Sequence, residues 1–407
     1  MTDWGRDCPA CGYAGKKCLH TQHFSLSKDH PVGSQYDVVY CLRCGMMYAD
    51  FPSSQEKFDS FYEKSAQPSS LPIDQNEVFS EFVRWFSTLD VAPDAAILDL
   101  GCGRGGLLLA LKQAGYTNLT GLDSLTHHCR EVRKAGIRCE QGSLFSNPFG
   151  EECFDLVIST HVLEHLFEVG GALSKMAGFL RPGGRLLVTV PDLERSEDML
   201  ASKALDFNYG HINFFTLHSL RTAVFTATGM GLVASHTYPQ PYFQGFLGPT
   251  VCGAFSGGGE KNVSDFDPIM PHCGQSYVEA SVAALHRLGE NVRRCMNERE
   301  KWVIWGTTDL TARLFASEYV DKSRVLFIAD NNPAHDNGDV GGVPVLHPTN
   351  PRCSVAFAPP DAESAENVGI LCYYWYYEEA IMRSVRDTWR LGNPVYIVSP
   401  ETIRRWD

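Results

Sequence analysis

Short apolar runs alternate with amphipathic stretches through the middle of the chain. Each run has the length of a buried strand, and the stretches between the runs place apolar residues at helical spacing. This alternation predicts an α/β fold with a central doubly wound, Rossmann-like parallel sheet that binds ligands at the carboxyl ends of its strands. The predicted strands and helices are, in chain order, Ile97–Leu100, Leu107–Ala114, Leu119–Leu122, Leu125–Ala135, Ile137–Glu140, Leu156–Ser159 and Leu186–Val190.

The last part of the chain repeats the pattern. A long amphipathic helix is predicted at about Tyr277–Glu298, and strands are predicted at Trp302–Trp305 and Val325–Ala329. Two stretches rich in turn-forming residues interrupt the periodicity: 66–76 predicts a linker, and 253–274 predicts a surface loop or hinge. The predicted organisation is a small N-terminal module at 1–65, a central domain at 75–252 and a second Rossmann-like α/β domain at 276–407.

The N-terminal module carries two Cys-x-x-Cys pairs, Cys8 with Cys11 and Cys41 with Cys44. Two such pairs can close four thiolates tetrahedrally around one Zn²⁺, and a small polar module of this kind takes much of its folding free energy from the metal. Four cysteine ligands leave no coordination position open, so the predicted zinc is structural and not catalytic. Alternative ligands lie between the two pairs, at Cys18, His20 and His23.

A glycine-rich turn follows the first apolar strand of the central domain. Gly101, Gly103 and Gly105 allow the backbone to pass close beneath a ligand that faces the amide groups of the next helix. Asp123 ends the second strand, at a spacing where an acid accepts hydrogen bonds from the ribose of a nucleoside. Asp99, two residues before the first glycine, would repel a pyrophosphate but suits the α-ammonium group of S-adenosylmethionine (SAM). The turn therefore predicts SAM in preference to a nicotinamide dinucleotide.

Four motifs of this region resemble those of class I SAM-dependent methyltransferases. They are Asp99–Gly105, Phe154–Ser159, His161–His165 and Leu180–Arg185, in the order of that family. The family often has an acid after the third strand for the adenine amino group, and here Ser143 or the backbone must substitute for it. The cofactor-binding residues that the resemblance implies are Asp99, Gly101, Cys102, Gly103, Gly105, Asp123, Ser143, Leu144, Glu164 and His165.

The flanking segments extend the resemblance to a subgroup of that family. Cys41–Tyr48, running on to Phe61 and Tyr62, is similar to the zinc ribbon that precedes the methyltransferase domain in C-methyltransferases of nucleotide-linked deoxysugars. Phe327–Pro333 and Gly341–Val345 are similar to the Rossmann-like C-terminal domain of those enzymes. The resemblance implies an enzyme that binds SAM and Zn²⁺ and methylates a small carbohydrate, a nucleotide-sugar, with methylation at carbon favoured.

Methyl transfer to a carbon or hydroxyl nucleophile needs a base that removes a proton, and histidine suits this role near neutral pH. His161 follows the fourth strand of the central domain, and His211 lies just before an aromatic pair. In the sugar C-methyltransferases a histidine in that second position acts with a nearby tyrosine and a glutamate. His211 and Tyr209 resemble this arrangement, but Gly210 stands where the glutamate is expected. The predicted catalytic residues are therefore His211, Tyr209 and His161.

Composition and the lengths of the apolar runs limit which partners and cellular locations we expect. A formal net charge of −13 disfavours nucleic acid as a partner, because binding to phosphates needs a basic surface. The sequence has neither a long apolar run nor a signal peptide, so we expect a cytoplasmic protein without membrane contact. We also expect a monomer or a small homo-oligomer. Two other functions stay open: an O- or N-methyltransferase acting on another metabolite, and a noncatalytic scaffold that binds SAM.

Overall fold

The computed structural model describes residues 5–65, 75–146, 149, 153–198, 203–243, 246–260, 266–360 and 362–406. Most of the predicted linker, at 66–74, lies outside this described part of the chain. Contacts along the backbone divide the chain into two compact units. The first comprises Met1–His20, Asp37–Ala201 and Gly210–Tyr277, and the second comprises Thr21–Tyr36, Ser202–Tyr209 and Val278–Asp407.

The strands and helices have the following bounds. The strands are β1 (Lys16–His23), β2 (Gln35–Cys41), β3 (Met47–Asp50), β4 (Ile97–Leu100), β5 (Leu119–Asp123), β6 (Arg138–Gln141), β7 (Phe154–Thr160), β8 (Leu180–Pro191), β9 (Asn213–Phe214), β10 (Gly231–Phe243), β11 (Phe246–Ser256), β12 (Lys301–Trp305), β13 (Val325–Ala329), β14 (Asp339–Val340), β15 (Val343–Leu346), β16 (Val368–Cys372), β17 (Val395–Val398) and β18 (Ile403–Trp406). The α-helices are α1 (Gln55–Ser65), α2 (Gln75–Phe86), α3 (Gly106–Gln113), α4 (Thr126–Lys134), α5 (Val169–Gly178), α6 (Leu217–Thr228), α7 (Met270–Met296), α8 (Asp309–Phe315) and α9 (Glu378–Met382).

The largest sheet of the first unit has seven strands in the order β10-β11-β8-β7-β4-β5-β6. Strands β4 to β8 run parallel, and helices α3, α4 and α5 return the chain across the sheet between β4 and β5, between β5 and β6, and between β7 and β8. Chain order reverses between β4 and β7, so the loops after these two strands diverge and leave a crevice at their carboxyl ends. All four residues of β4 are buried, as its continuous apolar run predicts.

The prediction of a purely parallel sheet is wrong at one edge, where the sheet is mixed. Strand β11 runs antiparallel to both β8 and β10. The predicted loop at 253–274 is wrong at both ends, since β11 continues to Ser256 and α7 begins at Met270. The predicted loop began at Gly253 because glycine is common in turns. In the structure Gly253 lies within β11, where a Cβ atom would come within 2.5 Å of the ring of Phe255. This glycine therefore marks close packing and not a turn.

The N-terminal segment forms a small sheet in the order β1-β2-β3-β9, and its last strand comes from far along the chain. Buried Arg6 reinforces this connection. Its guanidinium donates hydrogen bonds to the carbonyl oxygens of Ala49, Phe167 and Ile212, and to Oδ1 of Asn213 at 2.7 Å. The predicted module at 1–65 is thus interlocked with the segments at 163–168 and 210–214 of the same unit.

The second unit contains another mixed sheet, in the order β14-β15-β13-β12-β16-β17-β18. Its five inner strands are parallel, and β14 and β18 add antiparallel edges. Strand β13 matches its predicted bounds, Val325–Ala329. As in the first unit, chain order reverses beside the first strand, here between β12 and β16. Within the described residues, no helix combines the length and apolar character needed to cross a bilayer.

Candidate functional site

A cavity of about 360 Å³ lies at the carboxyl ends of β4, β5 and β7, at the reversal of strand order. Predicted cofactor residues from three loops meet here. Those that line the cavity are Gly101, Gly103, Asp123, Ser143, Leu144 and His165, together with the predicted catalytic residue His161. Asp99, Cys102, Gly105 and Glu164 lie behind this lining and are buried.

Three glycines after β4 adopt backbone conformations with positive φ, which explains why the turn needs them. The φ angles are +71° at Gly101, +52° at Gly103 and +84° at Gly105. A Cβ atom at Gly101 would lie 2.6 Å from a methyl carbon of Val162, and one at Gly105 would lie 2.7 Å from Val132. At Gly103 no atom lies within 4 Å of such a Cβ atom, so this glycine borders open space.

Asp123 holds the turn in place from the end of β5. Its Oδ2 accepts a hydrogen bond from the amide of Gly103 at 2.9 Å, and its Oδ1 accepts one from the amide of Leu125 at 2.9 Å. Nδ1 of His128 lies 3.0 Å from the same Oδ1. The two contacts at Oδ1 occupy both of its acceptor directions, whereas Oδ2 has one further acceptor direction for a hydrogen bond from a ligand.

Asp99 is only 2 % exposed, and its Oδ1 has no hydrogen-bond partner among the described residues. Burial, followed by the nearby charge of Asp123, raises the pKa of Asp99 well above its usual range. A buried carboxyl without a counter-charge favours the protonated form, and a cation placed beside it would favour the ionised form. Asp99 is therefore a buried acid that a neighbouring cation would stabilise in its ionised form.

The side of the cavity predicted to hold adenine contains Ser143 in place of an acid. The hydroxyl of Ser143 donates to Oδ2 of Asp59 at 3.3 Å and accepts from the amide of Phe145. Asp59, on helix α1, also lines the cavity, as does Tyr62 from the same helix. The sequence did not indicate that α1 belongs to the site, because α1 precedes the glycine turn by some forty positions and its Phe61 and Tyr62 were similar only to the zinc-ribbon segment.

Glu164 is 1 % exposed and is the centre of a histidine cluster behind the cavity. Its Oε1 lies 3.1 Å from Nδ1 of His161 and 4.0 Å from Nε2 of His165. Burial raises the pKa of Glu164, but the hydrogen bond from His161 and the positive potential of His161, His165 and His211 outweigh burial and lower the pKa to about 2. Glu164 is therefore a carboxylate at neutral pH, and its Oε2 has no hydrogen-bond partner within the described part of the chain.

His161 is held by both ring nitrogens. Besides the contact with Glu164, its Nε2 lies 2.9 Å from Oε1 of Gln240 and 3.5 Å from Oγ1 of Thr250. The backbone of His161 has a φ of +53°, a strained conformation for a residue other than glycine. Gln240 on β10 and Thr250 on β11 carry no motif signal, and sequence reasoning missed both strands along with them.

His165 and His211 pack edge to face, with ring centroids 4.7 Å apart. Burial, followed by the charge of His165, lowers the pKa of His211 to about 3, so His211 is neutral at physiological pH. Nδ1 of His165 lies 2.8 Å from the carbonyl oxygen of Gly210. His165 thus lies between His211 and Glu164 and contacts both. Glu164 is a glutamate near His211, although Gly210 stands at the position where the sequence comparison expected one.

Tyr209 falls in the second unit, whereas His211 and His161 fall in the first. Within its own unit Tyr209 packs against the rings of His30 and Phe24, with centroids 4.8 and 6.2 Å apart. Burial raises the pKa of Tyr209 above its ordinary value, and the charges of two aspartates of the same unit raise it further. Its predicted catalytic role stays a prediction.

The predicted zinc ligands converge. The sulfur of Cys8 lies 3.6 Å from that of Cys44, and the sulfur of Cys11 lies 3.5 Å from that of Cys41. All four sulfurs lie within 4.8 Å of one another. A tetrahedron of thiolates with Zn–S bonds of about 2.3 Å has edges of roughly 3.8 Å, so this arrangement fits a structural zinc ion.

The central region matches a known family. Residues 75–234 match the family described as a methyltransferase domain, and this span is less than half of the chain. It contains the cavity loops after β4, β5 and β7 and the cluster around Glu164.

Curated relatives match only parts of the chain. The chain is 32 % identical over 111 residues to an uncharacterized 37.1 kDa protein of a transposon from Streptomyces fradiae, covering 26 % of this chain and 32 % of that protein. It is 27 % identical over 164 residues to a fatty-acid O-methyltransferase of Mycolicibacterium smegmatis, covering 34 % of this chain and 59 % of that enzyme. A 2-phytyl-1,4-naphtoquinone methyltransferase of Thermosynechococcus vestitus is 26 % identical over 194 residues, 45 % of this chain and 79 % of that enzyme. The chain thus spans about a third to three fifths of the length of the first two relatives.

Proposed function

We propose that this protein is an enzyme that transfers a methyl group from SAM to a small molecule. The observation that carries the proposal is the cavity beside the glycine turn, because most of its lining belongs to the region that matches the methyltransferase domain family. Its volume of about 360 Å³ is within the range of roughly 300–1,000 Å³ that holds small ligands. Titration calorimetry with SAM and with NAD tests the proposal, and binding of NAD without binding of SAM would overturn it.

The residues around the cavity fit the parts of SAM. Oδ2 of Asp123 has acceptor capacity for a ribose hydroxyl, and the backbone of Gly101 and Gly103 allows a close approach of the methionine part. An ammonium group near the end of β4 would supply the positive partner that buried Asp99 lacks. Ser143 and the neighbouring Leu144 would face the adenine.

For the acceptor, we propose a small carbohydrate linked to a nucleotide, methylated at carbon. The resemblance to three-domain sugar C-methyltransferases supports this proposal, as do the convergence of four cysteines near the N-terminus and the second Rossmann-like sheet at 301–406. Structural zinc would hold the N-terminal sheet, and the second unit would contribute to acceptor binding. The protein would act on soluble substrates as a monomer or small homo-oligomer.

A second candidate is O-methylation of another metabolite. Gly210 replaces the glutamate of the sugar enzymes, and the relative from M. smegmatis is named as an O-methyltransferase. Incubation with isotope-labelled SAM and a panel of nucleotide-sugars, fatty acids and quinols separates the candidates. Mass spectrometry identifies the methylated compound, and NMR of the product locates the label on carbon or oxygen.

The histidine cluster around Glu164 is expected to promote the loss of a proton from the acceptor. His211→Ala is expected to lower turnover by roughly 10²–10⁴-fold while SAM affinity stays nearly unchanged, because His211 does not line the cavity. His236→Ala serves as a matched control, since His236 lies on β10 away from the cluster and packs on the ring of Trp85. Full activity of the His211 variant would remove this residue from the mechanism.

A further inference from the structure

We propose that Glu164, His165 and His211 bind a divalent transition-metal ion at the edge of the cavity. Each residue offers one ligand atom, and these three atoms lie within 4.8 Å of one another. Glu164 is buried, and both histidines are partly exposed. This group is separate from the four cysteines of the N-terminal sheet.

The hydrogen bonds show that lone pairs converge in this cluster. The carbonyl oxygen of Gly210 can only accept, so Nδ1 of His165 carries the hydrogen in their 2.8 Å contact. Nε2 of a neutral His165 therefore presents its lone pair, and it lies 4.0 Å from Oε1 of Glu164. The other oxygen, Oε2, is buried without a hydrogen-bond partner among the described residues. A cation between these atoms would relieve their mutual repulsion.

Neighbouring groups already orient the ligands in the manner of a metal site. Histidine ligands commonly donate their second ring N–H to a backbone carbonyl, as His165 does to Gly210. The hydrogen bond between Nδ1 of His161 and Glu164 fixes the carboxylate in the same way. Two histidines and one carboxylate are a ligand set of catalytic zinc and of non-haem iron, and both leave further coordination positions open.

The separations between ligand atoms are somewhat longer than those around a bound ion. Metal–ligand bonds of about 2.0–2.2 Å place neighbouring ligand atoms roughly 3–3.5 Å apart. The 4.0 Å between His165 and Glu164 thus needs a shift of less than about 1 Å, which rotation of the half-buried His165 ring can supply. His165 also lines the cavity, so an open coordination position would face the space next to the glycine turn.

The catalytic role of this ion rests on the proposed function. An acceptor with a hydroxyl or an enolisable carbonyl would bind the ion through its oxygen, which lowers the pKa of the acceptor. The acceptor loses a proton to solvent, its oxygen or carbon forms a bond to the methyl carbon, and the electrons of the breaking C–S bond return to sulfur as S-adenosylhomocysteine leaves. His211 then acts as a ligand and not as a free base.

Metal content distinguishes this site from the cysteine site. The full-length wild type and the Glu164→Gln variant are dialysed against the same micromolar Co²⁺ solution, and bound metal is measured by mass spectrometry. We expect one more ion per chain in the wild type than in the variant. The additional Co²⁺ should give weak visible bands of nitrogen and oxygen ligation, without the intense sulfur charge-transfer band of a thiolate site.

Further variants test the assignment of the ligands. His165→Gln should weaken binding of this ion by about 100-fold or more, and His161→Gln by roughly 10-fold, because His161 only orients Glu164. The exposed Glu168 lies on the same segment, and Glu168→Gln is a matched control that should leave binding unchanged. Equal metal content in the wild type, Glu164→Gln and His165→Gln would overturn the inference. SAM binding without the additional ion overturns this inference alone, whereas the additional ion without SAM binding overturns the proposed function alone.

Discussion

At the scale of single residues, Asp99 is the clearest source of a measurable effect. It is buried next to the glycine turn with a raised pKa and an oxygen that lacks a partner among the described residues. The ammonium group of bound SAM would lower this pKa toward the ordinary range, so the carboxyl would lose its proton when SAM binds. SAM affinity should therefore rise with pH between the pKa of Asp99 in the complex and its higher pKa in the free protein.

Calorimetry measures this proton release directly. The binding heat of SAM should differ between two buffers with different ionisation enthalpies at the same pH, by an amount proportional to the protons released. Asp99→Asn removes the titrating group and should abolish the difference. Identical buffer dependence in the wild type and in the variant would assign the proton to another group.

Two glycines of the turn are expected to serve different purposes: Gly101 is needed for folding, and Gly103 is needed for SAM binding. Gly101→Ala places a Cβ atom 2.6 Å from Val162 at a φ of +71°, so we expect a loss of folding stability well above the roughly 1 kcal/mol of backbone strain. Gly103→Ala adds only the strain, because its Cβ atom meets open space, but this space borders the cavity. Urea denaturation should show the larger loss for Gly101→Ala, and SAM titration of folded Gly103→Ala should show weakened binding. Unchanged SAM affinity of Gly103→Ala would contradict the placement of SAM.

At the scale of secondary-structure elements, the two-residue strand β9 links the N-terminal sheet to the loop after β7. Asn213 on β9 is 2 % exposed, and its side-chain amide donates to the carbonyl oxygens of Leu163 and Leu166 at 2.7 Å each. Its Oδ1 accepts from Arg6. One buried amide thus orients the segment that carries Glu164 and His165.

Asn213→Ala leaves two carbonyl oxygens and one guanidinium N–H without this partner. We expect a loss of about 2 kcal/mol or more in the free energy of unfolding, because unsatisfied buried polar groups each cost about 1–3 kcal/mol. Activity should fall further than SAM affinity, since the displaced segment carries the histidine cluster. Asn118→Ala, at an exposed position, is the control and should change neither quantity.

The amino-acid composition of each strand explains whether the sequence predicted it. Strands β4, β5, β7 and β13 are mostly apolar and mostly buried, and their positions were predicted within a few residues. Strands β10 and β11 were missed, because prolines such as Pro239 and Pro249 and the closely packed Gly253 resemble loop residues. In the site, residues in contiguous motifs were predicted, whereas Asp59, Gln240 and Asn213 reach the site only through tertiary packing.

At the scale of the whole molecule, each unit contains a histidine whose pKa is lowered. Burial lowers the pKa of His30 to about 4 in the second unit, and burial followed by the charge of His165 lowers that of His211 to about 3 in the first. Unfolded histidine takes up a proton near its ordinary pKa of about 6.5, so the unfolded state binds more protons below this pH. Stability should fall as the pH drops from about 6.5 toward these folded-state values, by up to roughly 1.4 kcal/mol per pH unit for each group.

Urea midpoints measured between neutral pH and pH 5 test this expectation. His30→Asn and His211→Asn should each flatten the dependence on pH, because each removes one proton uptake on unfolding. Glu164, with a pKa lowered to about 2, destabilises the fold on protonation only below its unfolded value, so it contributes little in this range. Asp99, with its raised pKa, opposes the trend. An unaltered slope in both histidine variants would contradict the assignment.

The interlocking of Arg6 with β9 also limits how genes of this type can recombine. A crossover near residue 65 would join the N-terminal residues of one parent to the central region of another, and it would separate Arg6 from its partners at Phe167, Ile212 and Asn213. The hybrid would keep every sequence motif. However, Arg6 would come from one parent and the buried oxygens that accept its hydrogen bonds would come from the other, so their positions would no longer fit each other. Viable chimaeras should therefore inherit residues 5–50 and 160–215 from the same parent, although a boundary drawn from sequence falls between them.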